Sequence, residues 1–274
     1  MSGTLYLVAT PIGNLDDITL RAINILKEVD FIAAEDTRHS LKLLNHLEIS
    51  KPLISCHRHN QDVKSELLVE KLENNKNIAL ITDAGTPGIS DPGEEIVKQC
   101  IKNNIKIVPI PGACAFVNAL ICSGLDTTEF TFLGFLPLNK KNRKEQLEKV
   151  KVCRSTCILY EAPHKLTSTL KDLSEILDNR KIVLAKEITK IHEDFIYGTA
   201  NELLERLNNP KGEFVILIEK SNVIKSTDSE FLNNLSLEEH YSFYEKQGLS
   251  KNEIIKKIAK DRNVNKNEIY KNFI

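Results

Sequence analysis

Four polar side chains offer the clearest chemical potential in this chain, because each comes soon after an apolar run long enough to form a strand. Asp36 and Arg38 follow the second such run, where a carboxylate and a guanidinium can orient a hydroxyl-bearing substrate or a phosphate. His57 and Asn60 follow the third run, and an imidazole titrates near neutral pH. Parallel strands end on one edge of their sheet, so we predict that these residues share one site. A structural ion pair between Asp36 and Arg38 is the alternative.

The most informative segment is the loop from Thr82 to Gly93, which follows an apolar run at 77–81 that is typical of a buried strand. It contains three glycines and two prolines, more than a strand-to-helix connection of about two to six residues needs. Glycine allows the main chain to approach a ligand closely and proline fixes φ. We therefore predict that this loop binds a ligand through its backbone.

Two further turns rich in exposed backbone are predicted at 109–115 and 160–164, and charged residues follow the run at 182–186. Neither the Gly-x-Gly-x-x-Gly fingerprint of dinucleotide sites nor the Gly-Lys-Ser/Thr of phosphate loops occurs in the chain. The sequence therefore argues against NAD-dependent and P-loop chemistry. Backbone-lined loops with few fixed charges suit a ligand such as adenosine better than a triphosphate.

Strand-length apolar runs alternate with segments of helical period, which predicts two α/β domains in tandem with a cleft between them. The first domain is expected at 1–112 and the second at 113–220, followed by a polar linker at 221–236 and a helical tail at 237–274. The predicted strands are 4–9, 30–34, 52–56, 78–82 and 105–110 in the first domain, and 130–133, 156–160, 182–186 and 213–219 in the second.

The tail is predicted to form three short helices, at 237–247, 251–260 and 266–273, similar to a helix-turn-helix unit. From 251 to 274 it has seven basic and three acidic side chains, a net charge of +4, whereas the whole chain has a net charge of −1. This asymmetry suggests RNA or DNA binding by the tail. A helical cap that packs on the body is the alternative.

The distribution of apolar residues and cysteines argues against membrane, secreted and metal-binding proteins. No apolar stretch approaches the roughly 18 residues of a membrane span, and the N-terminus has no basic region typical of a signal peptide, so we expect a cytoplasmic protein that does not enter a membrane. The six cysteines are scattered, without a Cys-x-x-Cys pair or a histidine at metal-binding spacing. No metal site is expected.

Eight motifs occur in order over residues 4–219: LVATPIGNLDDITLRA, AAEDTR, HRHNQ, ITDAGTPGISDPG, PIPGACA, YEAPHK, KEITKIHE and KGEFV. Together they resemble the tetrapyrrole methylase family, the class III methyltransferases that use S-adenosyl-L-methionine. Within it they are similar to the branch that methylates ribose 2′-oxygens of 16S ribosomal RNA. The helical tail also resembles the small C-terminal domain of that branch.

The resemblance implies a homodimer in which S-adenosyl-L-methionine lies between the two α/β domains, and a cytidine ribose in the decoding region of 16S rRNA as substrate. Asp36 or His57 would accept or relay the 2′-hydroxyl proton, and Arg38 and Asn60 would position ribose or phosphate. Cys114 stands where the family usually has Ser or Thr, and a thiol is a weaker donor. The cofactor contacts implied by the motifs are Pro11, Ile12, Ala84, Gly85, Thr86, Ile89, Cys114, Ala115, Glu161, Ala162, Gly212, Glu213 and Phe214.

Two other functions are compatible with the same residues. One keeps the fold and the cofactor but makes a porphyrin or corrin precursor the substrate. The other is a non-catalytic RNA-binding scaffold, which would not bind S-adenosyl-L-methionine.

Overall fold

The structure is a computed structural model that describes residues 2–57, 61–177, 179–221, 232 and 234–273. The chain divides into two compact units, Met1–Lys220 and Ser221–Ile274. Across the described ranges no helix is long and apolar enough to cross a membrane.

A parallel five-stranded sheet forms the first half of the larger unit, in the order β3-β2-β4-β1-β5. The central strand β4 is fully buried because it is apolar at every position and helices cover both faces of the sheet. The strands are β1 (Thr4–Val8), β2 (Phe31–Ala34), β3 (Leu53–Ser55), β4 (Ile78–Ile81) and β5 (Lys106–Ile110).

Four helices cover this sheet and produce two apolar clusters, one on each face. Leu68 and Leu72 of the third helix pack against one face, while Ala22 and Leu26 of the first helix pack against the other. Each helix therefore buries one apolar stripe against the strands. The helices are α1 (Leu20–Glu28), α2 (Thr37–His46), α3 (Gln61–Glu73) and α4 (Glu94–Lys102).

A mixed sheet forms the second half of the larger unit, in the order β6-β7-β10-β8-β9. Only β6 and β7 are parallel; β10 runs antiparallel to both of its neighbours. The predicted strands are all present, but the edge strand β9 was not predicted, because none of its residues is fully buried and it lacks a continuous apolar run of strand length. The elements are α5 (Ala115–Cys122), β6 (Phe130–Phe135), α6 (Lys140–Val152), β7 (Thr156–Glu161), α7 (Pro163–Ile176), β8 (Ile182–Lys186), β9 (Asp194–Gly198), α8 (Ala200–Arg206) and β10 (Phe214–Ile218). The predicted fold class, two α/β halves followed by C-terminal helices, is confirmed.

The smaller unit contains α9 (Leu237–Glu245), α10 (Lys251–Asp261) and α11 (Lys266–Tyr270) around its own apolar cluster. Ser236 and Ser250 begin α9 and α10 with capping boxes, each closed by a glutamate three residues later. Most of the predicted linker lies outside the described residues.

A buried polar network joins α9 to α10 in this smaller unit. His240 is fully buried, its Nε2 lies 3.2 Å from Asp261 Oδ2, and its Nδ1 accepts from Arg262 Nε at 3.2 Å. Tyr244 Oη donates to the same Asp261 oxygen at 2.6 Å. Burial lowers the pKa of His240, although Asp261 opposes that shift, so the neutral imidazole is favoured in the folded unit.

Candidate functional site

A cavity of about 600 Å³ lies within the larger unit, between loops of the first sheet and strands of the second. Its volume is within the range of ligand-binding cavities. The loops after β1, β2, β4 and β5 contribute to it, as expected for the carboxyl edge of a parallel sheet. It is lined by Ile12, Glu35, Asp83, Ala84, Gly85, Thr86, Ile89, Ser90, Asp91, Cys114, Ala115, Phe135, Tyr160, Glu161, Ala162, Pro163, His164, Ala185, Ile188, Glu213, Phe214 and Val215.

The glycine loop after β4 forms one wall of the cavity. Gly85 exchanges two backbone hydrogen bonds with Thr10, which join the loops after β4 and β1. Its φ is +84°, which favours glycine, and a Cβ there would lie in van der Waals contact with Ile12 Cγ2 at 3.4 Å. Thr86 Oγ1 donates to the Ala113 carbonyl at 3.2 Å and so ties the loop to the start of α5.

A second part of the wall is formed by β7 and β10, with Tyr160 and Glu161 at the end of β7. Burial raises the pKa of Tyr160, whose Oη accepts the backbone N–H of Phe116 at 3.3 Å. Tyr160 also contacts Phe135 edge-on, with 5.6 Å between the ring centroids. Aromatic surface and the backbone-rich glycine loop therefore line the same cavity.

Glu161 is a buried carboxylate on this wall, only 4% exposed. One oxygen accepts from Thr169 Oγ1 at 2.5 Å and the other accepts from the Ala162 backbone N–H at 2.9 Å. Arg143 Nη2 donates to the same Thr169 hydroxyl at 2.9 Å, and Arg143 pairs with Asp172 at 2.7 Å. The network thus links α6 and α7 to a carboxylate in the cavity.

We expect Thr169→Val to destabilise the protein by about 1–3 kcal/mol, because buried Glu161 loses a hydrogen-bond donor while the side-chain shape is kept. Urea unfolding would measure the loss. Thr167→Val on the exposed side of α7 is the matched control and should change the free energy of unfolding by less than about 0.5 kcal/mol. Equal losses in the two variants would contradict the role of this network.

A second set of contacts holds Glu213 at the cavity. Lys190 Nζ lies 2.9 Å from Glu187 Oε1 and 2.8 Å from Glu213 Oε2. Glu187 Oε1 also accepts the Glu213 backbone N–H at 2.8 Å. At Gly212, where φ is +90°, a Cβ would lie 2.4 Å from Glu187 Cγ, so only glycine fits beside that side chain. Lys190 therefore joins the loops that follow β8 and precede β10.

The predicted cofactor residues are brought together by the fold, with two differences. Pro11 is buried next to the wall without lining the cavity, and Gly212 lines a neighbouring cleft. Every other predicted contact lines the cavity. Cys114 begins α5 there without a side-chain cap hydrogen bond.

Among the described residues, the predicted catalytic side chains of Asp36, Arg38 and His57 do not line the cavity. Asp36 begins α2, and its carboxylate accepts from the Arg38 backbone N–H at 2.8 Å and from Arg38 Nη2 at 2.8 Å. Hydrogen bonding from the Arg38 side chain holds the pKa of Asp36 well below its usual range. His57 follows β3, the edge strand farthest from β1, and Asn60 lies outside the described residues.

Several cavity residues were not predicted, and the acidic ones matter most. Glu35 and Asp83 follow β2 and β4, and Asp83 Oδ1 accepts the Asp36 backbone N–H at 3.2 Å. Asp91 lies later in the glycine loop. One feature of the sequence could have indicated Asp83 as a cavity residue: it lies between a buried strand and the glycines of the loop.

Acidic side chains outnumber basic ones among the residues that line the cavity. Five of them are carboxylates, whereas none of the described lining residues is lysine or arginine. Such a wall favours a ligand with a positive centre and disfavours a triphosphate. The cavity volume, the close approach allowed at Gly85 and the aromatic wall fit an adenosyl group that carries a cationic sulfonium and ammonium. Among the described residues no group of His, Cys, Asp and Glu could hold a metal ion.

Comparison with known proteins gives curated relatives over nearly the whole chain. A protein of Halalkalibacterium halodurans named "Ribosomal RNA small subunit methyltransferase I" is 47% identical over 270 residues, covering 98% of this chain and 93% of the relative. A protein of Bacillus subtilis with the same name is 47% identical over 271 residues, with the same coverage. One from Haemophilus influenzae, also so named, is 50% identical and covers 80% of this chain and 79% of its own.

Solved structures support the fold. A diphthine synthase aligns with a TM-score of 0.65 at 13% identity, covering 81% of this chain and 92% of its own. The uroporphyrin-III-C-methyltransferase of Thermus thermophilus aligns with a TM-score of 0.55 at 18% identity, covering 80% of this chain and 93% of its own. Residues 4–204 match the family described as Tetrapyrrole (Corrin/Porphyrin) Methylases. Because the family model matches most of the chain, the chain belongs to the tetrapyrrole methylase family.

Proposed function

We propose that this protein transfers a methyl group from S-adenosyl-L-methionine to the ribose 2′-oxygen of a cytidine in the decoding region of 16S rRNA. The acidic, backbone-lined cavity is the observation that carries the proposal, because it suits a cationic adenosyl ligand. Relatives named as small-subunit rRNA methyltransferases support rRNA as the substrate.

The chain would bind the cofactor mainly by shape and through its backbone. Gly85 and Ala84 offer main-chain groups, while Glu161 and Glu213, each already engaged by neighbouring donors, add negative charge near the positive groups of the ligand. Bound S-adenosyl-L-methionine supplies an electrophilic methyl group. The protein must then align the ribose oxygen in line with the methyl–sulfur bond, which is a contribution of proximity and orientation.

The 2′-hydroxyl must also lose its proton, and we propose Asp83 as the acceptor. A general base has to lie within hydrogen-bond reach of the proton it takes, and Asp83 is a carboxylate on the cavity wall. Asp36 is poorly suited to take a proton because hydrogen bonding from Arg38 keeps the pKa of Asp36 low. The sequence-based assignment of this role to Asp36 or His57, with Arg38 and Asn60 as positioning groups, stays a competing prediction.

The helical tail is proposed to add RNA affinity. Lys256, Lys257 and Lys260 of α10 are exposed, while Ile254, Ile255 and Ile258 are buried in the smaller unit. We expect replacement of the three lysines by alanine to weaken RNA binding and to lower its salt slope by about 0.7–0.9 for each lost phosphate contact. Titrations at several salt concentrations measure this slope. Identical slopes before and after would favour a helical cap without an RNA role.

The resemblance also suggests a homodimer, and we propose that α5 contributes to its interface. Val117 and Ile121 of this helix are exposed although the helix is almost entirely apolar. Ile121→Asp should therefore shift the protein from dimer to monomer in analytical ultracentrifugation, without loss of fold. A monomeric wild-type protein would contradict the proposal.

We propose a cytoplasmic location, where the rRNA substrate is found.

The function is tested by supplying radiolabelled S-adenosyl-L-methionine with small ribosomal subunits that lack the methyl group, and with uroporphyrinogen in parallel. We expect label in 16S rRNA alone, at one cytidine that mass mapping locates. Label in the tetrapyrrole instead would establish the alternative substrate. If calorimetric titration detects no cofactor binding, the non-catalytic scaffold becomes the better interpretation.

A further inference from the structure

A basic and apolar surface lies beside the cavity, at the junction of β6 and α6. Phe135, the last residue of β6, lines the cavity and is 57% exposed. Leu138 is 81% exposed, and Lys140, Lys141 and Lys144 of α6 are exposed as well. We call these five residues the β6–α6 surface. Lys140 is five residues from Phe135, so at most about 18 Å of extended chain separates it from the cavity wall.

The lysines of this surface occupy an unfavourable place in their helix. The first turn of α6 contains no acidic residue, although the N-terminal end of a helix dipole favours negative charge and disfavours positive charge. Over Lys140–Val152 there are six basic and two acidic side chains in a chain whose net charge is −1. Helix stability therefore does not explain why lysines occupy the start of α6. Charge complementarity to a polyanion would explain their placement.

Arg143 differs from the three lysines because its guanidinium is already engaged. It donates to Asp172 and to Thr169, and only 18% of its side chain is exposed. Leu147 and Val150 of α6 are buried in the core of the second half, whereas the three lysines are exposed. The helix is thus anchored by Arg143, Leu147 and Val150, while its lysines are available to solvent.

We propose that the β6–α6 surface binds single-stranded substrate RNA next to the cavity. In this proposal Phe135 contacts an unstacked base at the mouth of the cavity, while Lys140, Lys141 and Lys144 contact neighbouring phosphates. Aromatic stacking combined with lysine contacts to phosphate is how proteins commonly hold single strands. The inference rests on the proposed rRNA methylation and adds a substrate surface on the larger unit, separate from the helical tail.

The test compares two double variants of the full-length protein, Lys140→Gln with Lys141→Gln, and Lys149→Gln with Lys151→Gln. Both remove two exposed lysines from α6, but only the first pair belongs to the β6–α6 surface. The probe is a fluorescent single-stranded RNA with the decoding-region sequence, titrated at several KCl concentrations. We expect the first pair alone to weaken binding and to flatten the salt slope by about 1.4, since each phosphate contact to a single strand contributes about 0.7.

Thermal unfolding separates this effect from damage to the helix. The first pair should leave the melting temperature unchanged or raised, because it removes positive charge from a helix N-terminus. Cofactor affinity, measured by calorimetry, should be unchanged in both pairs. If the wild-type protein fails to bind S-adenosyl-L-methionine, the proposed function fails, whereas the comparison of RNA binding by the two pairs still decides the role of the surface.

Two further results would overturn the inference. The first is an equal salt slope for the two double variants. The second concerns Leu138→Ser: if it dissociates a dimer while RNA affinity stays at the wild-type level, the surface is a protein contact. A supporting result would be that Phe135→Leu weakens RNA binding roughly 5- to 100-fold, the effect expected when one base loses its stacking contact with an aromatic ring.

Discussion

Asp83→Asn should lower the rate of methyl transfer by about 10²–10⁴-fold, the usual contribution of a general acid or base. The amide keeps an oxygen that can accept the Asp36 backbone N–H, which now lies 3.2 Å from Asp83 Oδ1, so the turn after β2 should be preserved. The amide cannot take a proton from the ribose hydroxyl. Single-turnover transfer to undermethylated subunits measures the rate, and calorimetry measures cofactor affinity, which should change far less.

Asp36→Asn is the matched control, because asparagine also caps a helix N-terminus well. It removes the ion pair with exposed Arg38 but leaves the cavity wall intact, so we expect only a small change in rate. The sequence-based assignment predicts the reverse order, with the large fall in Asp36→Ala or His57→Ala. A normal rate in Asp83→Asn, together with a strongly reduced rate in either of those variants, would reject Asp83 as the proton acceptor.

Gly85→Val should raise the dissociation constant of S-adenosyl-L-methionine at least about tenfold. A loss of only about 1.4 kcal/mol of binding free energy already has that effect. A Cβ at Gly85 would already touch Ile12 Cγ2 at 3.4 Å, so the further methyl groups of valine must displace the loop or enter the cavity. The two hydrogen bonds with Thr10 leave the loop little room to move. Calorimetric titration with the cofactor measures the effect.

Gly88→Val separates this steric effect from backbone strain. Gly88 has a φ of +83°, almost that of Gly85, so both variants pay a similar strain of about 1–3 kcal/mol. No atom lies within 4 Å of a Cβ at Gly88, and that residue does not line the cavity. We expect Gly88→Val to lose some stability but to keep cofactor affinity. Equal losses of affinity in both variants would mean that strain in the loop, not space at the wall, controls binding.

The residues that line the cavity were largely predictable because they lie in motifs that can be recognised in sequence. Gly85 and Ala84 follow a buried strand in a loop whose composition already indicates close ligand approach. The acidic wall was harder to predict. Glu35 is the neighbour of Asp36 in the chain, and only its position in space distinguishes the two carboxylates. Asp83 lies in the glycine loop, whose composition does not show that this carboxylate reaches the cavity.

The sequence by itself determined the alternation of strands and helices, the fold class, the family resemblance and the loops that meet at the cavity. Those features follow from local periodicity, turn residues and motif order, which depend on neighbours in the chain. Only the tertiary structure decided which carboxylates face the cavity, that Asp36 is paired with Arg38, and that edge strand β9 exists. Side-chain direction and strand pairing depend on contacts between residues far apart in the chain. A one-residue step at a strand end is enough to turn a carboxylate from the cavity to a helix cap.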